Sequence, residues 1–174
     1  MKKRQKVWFS TSVEKISSQL LFKAAKFTTS KEDLKSIYVT YIRSVIEQSA
    51  VVWHSSLSKK NIKDLERVQK AAVRVIMGKD YSTYKEGLKI LKMDNLKQRR
   101  EKLCLSFAKK CTKNEKVKNM FPLRKVIHRM KKRNSKKFQN IKTNTSRYKK
   151  SAIPYMVNLL NDENTEKCLV LKNY

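Results

Sequence analysis

Glycine and proline are nearly missing from this 174-residue chain, which holds only Gly78, Gly87, Pro122 and Pro154. Tight strand-to-strand turns need glycine, asparagine or proline at particular positions, so a fold built on many hairpins is excluded. Lys, Leu, Glu, Gln and Ala are plentiful instead, and they lose little side-chain freedom in a helix. The fold class expected is all-α. With hydrophobic residues at 40% and charged residues at 33%, the apolar material suffices for one modest core.

Acidic charge is the second shortage. Against 43 Lys and Arg stand 14 Asp and Glu, a formal +29 and a pI near 10.2. So large an excess repels itself and implies a polyanionic partner, nucleic acid first and an acidic membrane surface second. No apolar run approaches the roughly 20 residues of a membrane span, so no span is expected. The opening "MKKRQKVWFS" is basic without a following apolar region, so a secretory signal is not expected either.

Catalytic signatures are also missing. There is no Gly-rich phosphate loop, GxSxG, HExxH or EF-hand pattern. His54 precedes Ser55 and Ser56, but adjacency is no triad, and the histidine is read as a helix-end residue that bonds locally. Cys104, Cys111 and Cys168 are odd in number and form no zinc spacing with His54 or His128. Cys104 and Cys111 read as buried thiols on one helix face, in a reducing compartment. No catalytic residue, cofactor or metal is expected, and the chain is not expected to be an enzyme on its own.

What is present is a succession of capped helices. Val13, Ile16, Leu20, Leu21 and Ala24 recur at helical spacing. Ser30 with Asp33 resembles a capping box, ahead of a broad stripe of Leu34, Ile37, Tyr38, Tyr41, Ile42, Val45 and Ile46, which Trp53 and Leu57 should close. Ser58 or Asn61 can cap a third helix with Ile62, Leu65, Ala72 and Ile76 inside, and Gly78 stops it. Thr83 and Glu86 open a short helix carrying Gly87, Leu88 and Leu91. Asp94 or Asn95 caps the last long helix, with Leu96, Leu103, Phe107 and Cys111 on one side. Arg100 falls on that apolar side, where a partner such as Glu66 or Glu86 is expected.

Cations line up on two of these helices. Lys63, Arg67, Lys70 and Arg74 fall at i, i+4, i+7 and i+11, opposite the apolar stripe. Arg99, Lys102, Lys109 and Lys113 do much the same on the last. From Lys116 to Asn161 there is no acidic residue, and 12 of the 27 residues from Arg124 to Lys150 are Lys or Arg. Such a run cannot bury enough apolar surface to order itself without a partner. Its densest part contains Arg129, Lys131, Lys132, Arg133, Lys136 and Lys137, and a cluster such as "RMKKRNSKK" can serve as a nuclear signal or bind RNA unspecifically. "SAIPYMVNLLN" reads as a short helix with Pro154 in its first turn. We assign phosphate contact to all fourteen cations named here, since phosphate contacts give affinity and register but little sequence choice.

The blocks "LKSIYVTYIRSVIEQSAVVWHSSL", "IKDLERVQKAAVRVIMG", "YKEGLKILKMDNLKQRREKLCLSFAKK" and "RYKKSAIPYM" together resemble the C-terminal region of non-LTR (LINE-type, jockey-like) retrotransposon reverse transcriptases. The resemblance runs from about Leu21 to Asn161, with Gly87 where that family usually has alanine. It implies a thumb-like helical bundle over 21–115, after a poorly matched basic segment 1–20. A basic, partly disordered extension follows over 116–150, then a short helix 151–161 and a tail 162–174. It also implies RNA, DNA or an RNA–DNA hybrid as partner and docking on a polymerase palm domain, while the charge itself leads to the expectation of a nuclear or cytoplasmic ribonucleoprotein. The family's polymerase holds its metal ions on paired aspartates, and no Asp-Asp pair occurs in this chain. The expectation is a non-catalytic fragment that grips template–primer or element RNA. The alternative is an inactive transposon-derived relic or protein-interaction fragment.

Overall fold

The computed structural model describes residues 12–27, 30–123 and 138–170, with side chains for residue 19 and for 21–27, 30–123 and 138–163. These residues form an all-α structure without a strand. A lone bridge joins Leu123 to Phe138. In chain order the helices are α1 (Ser12–Phe27), α2 (Lys31–Ile37), a π-helical turn (Tyr38–Arg43), α3 (Ser44–Glu47), α4 (Ala50–Trp53) and a 3₁₀ turn (His54–Ser56). There follow α5 (Lys59–Met77), a 3₁₀ turn (Gly78–Asp80), α6 (Tyr84–Ile90), α7 (Leu96–Lys113), a 3₁₀ turn (Lys118–Met120), α8 (Ser146–Lys149) and α9 (Ala152–Val170).

The chain divides into two compact units. The first holds the described residues up to Ser49 together with Leu57–Arg100. The second holds Ala50–Ser56 and the described residues from Glu101 onward. The division cuts the "YIRSVIEQSAVVWHSSL" block at Ser49, whose φ of 54° puts a non-glycine residue in the left-handed region.

In the first unit α5 is the central element, packed by α1, α2 and α6. Ser58 caps it by accepting from the Asn61 N–H at 3.2 Å, a bond typically worth about 1 kcal/mol. Leu65, Val68, Gln69, Ala72, Val73, Ile76 and Met77 form its buried face, and Gly78 ends it at φ 55°. Thr83 caps α6 through the Glu86 N–H, and Asn95 caps α7 through the Gln98 N–H at 2.8 Å. Ser30 occupies the cap position of α2, yet its side chain makes no capping bond. The capping box expected there is therefore not formed.

The stripe from Leu34 to Ile46 is narrower than its spacing predicts. Leu34, Tyr38, Ile42 and Ile46 are buried, but Tyr41 is 64% and Val45 47% exposed. A straight 3.6-residue helix would turn all of them toward one broad face. The π turn takes in extra chain per turn, so a spacing of four stays inside and the neighbouring positions rotate out.

Gly87 is where α6 meets α5. A Cβ there would lie 2.5 Å from Cγ1 of Val73, a buried β-branched side chain with little room to turn.

The second unit has its own apolar cluster of Cys104, Ala108, Phe121, Phe138, Met156, Val157 and Leu160, with Val51, Leu105 and Tyr155 packed against it. The inward face of α7 thus runs Leu96, Arg100, Cys104, Ala108, and Phe107 is 45% exposed, correcting the expectation that placed Phe107 inside. Spacing alone could not choose between the two faces, because small Cys104 and Ala108 allow closer packing than Leu103 and Phe107. α9 runs to Val170, well past the expected end at 161. Glu163 helps explain this: its carboxylate pairs with Lys109 at 2.6 Å. The acid-free segment is pinned at residue 138, where Asn161 accepts from the Phe138 N–H at 3.0 Å and donates to its carbonyl at 3.2 Å.

Three outcomes are expected in urea denaturation. Gly87→Ala should destabilise by about 1–3 kcal/mol through overpacking, outweighing the gain of roughly 0.5–1 kcal/mol from removing a helical glycine. Combined with Val73→Ala it should cost less than the two single changes together. Asn161→Ala should cost about 1–3 kcal/mol, because it removes two buried hydrogen bonds to the backbone at residue 138.

Candidate nucleic-acid interface

Lys63, Arg67, Lys70 and Arg74 are all exposed along one side of α5, opposite its buried face. Their surroundings differ. Arg67 lies 3.5 Å from Asp64, one turn back, with the guanidinium side exposed and the Asp64 side chain mostly covered. Arg74 covers the ring of Tyr81, 5.3 Å from its centroid. Lys63 and Lys70 make no hydrogen bond or ion pair among the described residues. Each of the four has its charged end at the surface.

The stripe on α7 is less uniform. Arg99 is half-buried, and its Nε lies 2.7 and 2.9 Å from the two carboxylate oxygens of Glu47. Lys109 is held by Glu163. Lys102 and Lys113 are exposed. Arg99 and Lys109 are therefore engaged by carboxylates, which the periodicity of α7 gave no means to see. Arg129, Lys131, Lys132, Arg133, Lys136 and Lys137 lie outside the described residues.

Behind the stripe of α5 lies a group of polar residues in the first unit. Glu66 accepts from the Tyr84 hydroxyl at 2.9 Å and from the Lys97 N–H at 2.8 Å. Gln69, fully buried, donates to the Asp94 carbonyl at 3.0 Å. Arg100 is fully buried too, on the inward face of α7. Glu66 is taken by Tyr84 and Lys97, and Glu86 is exposed and accepts from Ser82. Burial raises the hydroxyl of Tyr84 above the ordinary tyrosine value, and the Glu66 carboxylate raises it further. Tyr38 is raised chiefly by burial, and its hydroxyl has no hydrogen-bond partner among the described residues.

Arg43, the last residue of the π turn, and Glu47 of α3 stand one turn apart. The i, i+4 spacing would suggest that they pair, but Glu47 is bound by Arg99. Arg43 is half-buried, and its guanidinium is held below its ordinary value, first by desolvation and next by repulsion from Arg99. Glu47, Tyr38 and Asp94 act in the opposite direction and offset this only in part.

In the second unit His54 is buried and meets the ring of Tyr155 edge-on, with centroids 5.6 Å apart. This is a packing contact between the 3₁₀ turn and α9. Ser55 Oγ is buried without a hydrogen-bond partner among the described residues. Among those residues no group of His, Cys, Asp and Glu could hold a metal ion, and no helix is long and apolar enough to cross a membrane.

No protein-family model, curated protein or solved structure matches the chain.

Burial pushes the Tyr155 hydroxyl up to about 12 from an ordinary 10.0. In the unfolded chain this tyrosine ionises first. Stability from this group is therefore fully present below pH 10.0 and is lost as pH rises through about 12. Tyr155→Phe should flatten the fall in urea midpoint between about pH 9 and about pH 11.5, and an equal fall in the variant would show that Tyr155 does not cause it.

Proposed function

We propose that the chain is a non-catalytic nucleic-acid-binding module, related to the C-terminal region of non-LTR retrotransposon reverse transcriptases. It grips template–primer or element RNA through backbone phosphates. The observation that carries this reading is the line of four exposed cations on α5, in which Lys63 and Lys70 make no ion pair among the described residues. A +29 chain folded with such a row repels itself, and a polyanion laid along the row relieves that repulsion. The residues of the resembling blocks support the same reading. Leu65, Val68 and Gln69 are buried, Glu66 and Tyr84 bond to each other, and Arg67 and Lys70 remain outside. Such a module would work in a nuclear or cytoplasmic ribonucleoprotein.

A second reading is favoured by one observation. Tyr41 and Val45, four residues apart on one helix face, are 64% and 47% exposed. An apolar pair facing outward suits a fragment that docks on another protein, such as a polymerase palm domain.

The test is binding of the purified chain to a labelled RNA–DNA hybrid across a salt series, repeated with Lys63, Arg67, Lys70 and Arg74 changed to Gln. Submicromolar binding that weakens with salt is expected. The log–log slope of the variant should shrink by about 3.6, at about 0.9 per lost phosphate contact. Binding that ignores the four changes would move the activity to the basic segment 124–150. No binding at moderate salt would leave the docking fragment.

A further inference from the structure

The cations of the α5 stripe differ in what holds them. Arg67 lies near Asp64, Lys63 and Lys70 make no ion pair among the described residues, and Arg74 is held by an aromatic ring. Helix α5 ends at Gly78, whose φ of 55° turns the chain into the 3₁₀ turn Gly78–Asp80. The Tyr81 N–H donates to the Gly78 carbonyl at 3.3 Å and closes that turn. Tyr81, partly buried, thereby comes back against the last turn of the helix. There the Arg74 guanidinium carbon stands over its ring, 5.3 Å from the centroid.

A ring holds a cation differently from a carboxylate. Glu47 takes the Nε of Arg99 and opposes its charge. The face of a tyrosine attracts a guanidinium through its quadrupole, carries no net charge and leaves the N–H donors free. Arg74 is exposed, and its guanidinium makes no hydrogen bond or ion pair among the described residues. The acid beside Tyr81 in the chain, Asp80, pairs instead with Lys31 at the start of α2. A long side chain loose in water gives up rotamer freedom when a ligand fixes it, and a contact made beforehand lessens that loss.

We propose that Tyr81 is a positioning residue for the nucleic-acid contact: its ring holds the Arg74 guanidinium ready for a backbone phosphate. Arg74 then contributes more affinity than Lys63 or Lys70 for the same charge. This role rests on the nucleic-acid reading given above, and it ranks cations that the reading treats alike.

The experiment titrates labelled RNA–DNA hybrid, across a salt series, into the full chain as wild type, Tyr81→Leu, Tyr81→Phe, Arg74→Gln, Lys70→Gln and the double variant Tyr81→Leu with Arg74→Gln. Tyr81→Leu should weaken binding about 2–5-fold, the strength of an exposed cation–ring contact. Its salt slope should stay at the wild-type value, since no charge is lost. Tyr81→Phe keeps the ring face and should bind within about twofold of wild type. In the Arg74→Gln background Tyr81→Leu should have no further effect, whereas a merely structural tyrosine would weaken binding equally in both backgrounds. Arg74→Gln and Lys70→Gln should each reduce the slope by about 0.9, with Arg74→Gln losing at least about twofold more affinity. Equal losses in those two variants overturn the role of Tyr81 whether or not Tyr81→Leu folds. Wild-type affinity in Tyr81→Leu overturns that role too, as does an undiminished effect of Tyr81→Leu when Arg74 is already Gln. Either result, with the wild type still binding, leaves the nucleic-acid reading standing. If the wild type binds no hybrid, that reading falls and the role of Tyr81 falls with it.

Discussion

The carboxylate of Glu66 joins three helices of the first unit. One oxygen takes the Tyr84 hydroxyl of α6, the other takes the Lys97 N–H at the start of α7, and the residue itself stands on α5. The N–H of Lys97 is one of the four that an α-helix cannot satisfy internally, so Glu66 acts as a second cap for α7 from a neighbouring element. With Asn95 capping the same helix and Gln69 fixing the Asp94 carbonyl, the turn between α6 and α7 is bonded from three directions. The docking of α6 against α5 through the close approach at Gly87 belongs to the same joint.

In a chain so short of acid, the placement of each carboxylate matters. Glu47, Glu66 and Glu163 are each drawn at least partly inside and each ties one helix to another. Asp64 and Glu86 stay within their own helical neighbourhoods. The interior carboxylates thereby settle which cations become structural and which face water. Arg99 and Lys109 fall in the first class, while Lys63 and Lys70 fall in the second.

The local grammar of the fold was legible before any coordinates. Ser58, Thr83 and Asn95 cap where the spacing of polar and apolar residues says they should, and Gly78 stops α5. The stripe of Lys63, Arg67, Lys70 and Arg74 was legible for the same reason, since a long straight helix obeys one period. Legibility failed where a long-range contact overrode local pattern. Tyr41 and Val45 face outward because of a π turn that nothing in the side-chain spacing encodes. Phe107 yields to Ala108 because a close-packed neighbour favours the smaller residue. Arg43 looks paired with Glu47 at four residues' separation, and only the fold reveals that Arg99, 52 residues away from Glu47, has taken that partner.

The seven residues Ala50–Ser56 belong with the far end of the chain, packing on α9 although flanked on both sides by the first unit. During synthesis they leave the ribosome roughly 100 residues ahead of α9, a delay of about 5–20 s at ordinary elongation rates. Through that interval Val51 and the buried His54 have no core to enter. The first unit contains no residue of α9, so its helices can pack before the partner of α4 and the 3₁₀ turn has been made. The left-handed Ser49 sits at the base of that segment, where the chain must leave one unit before its destination exists.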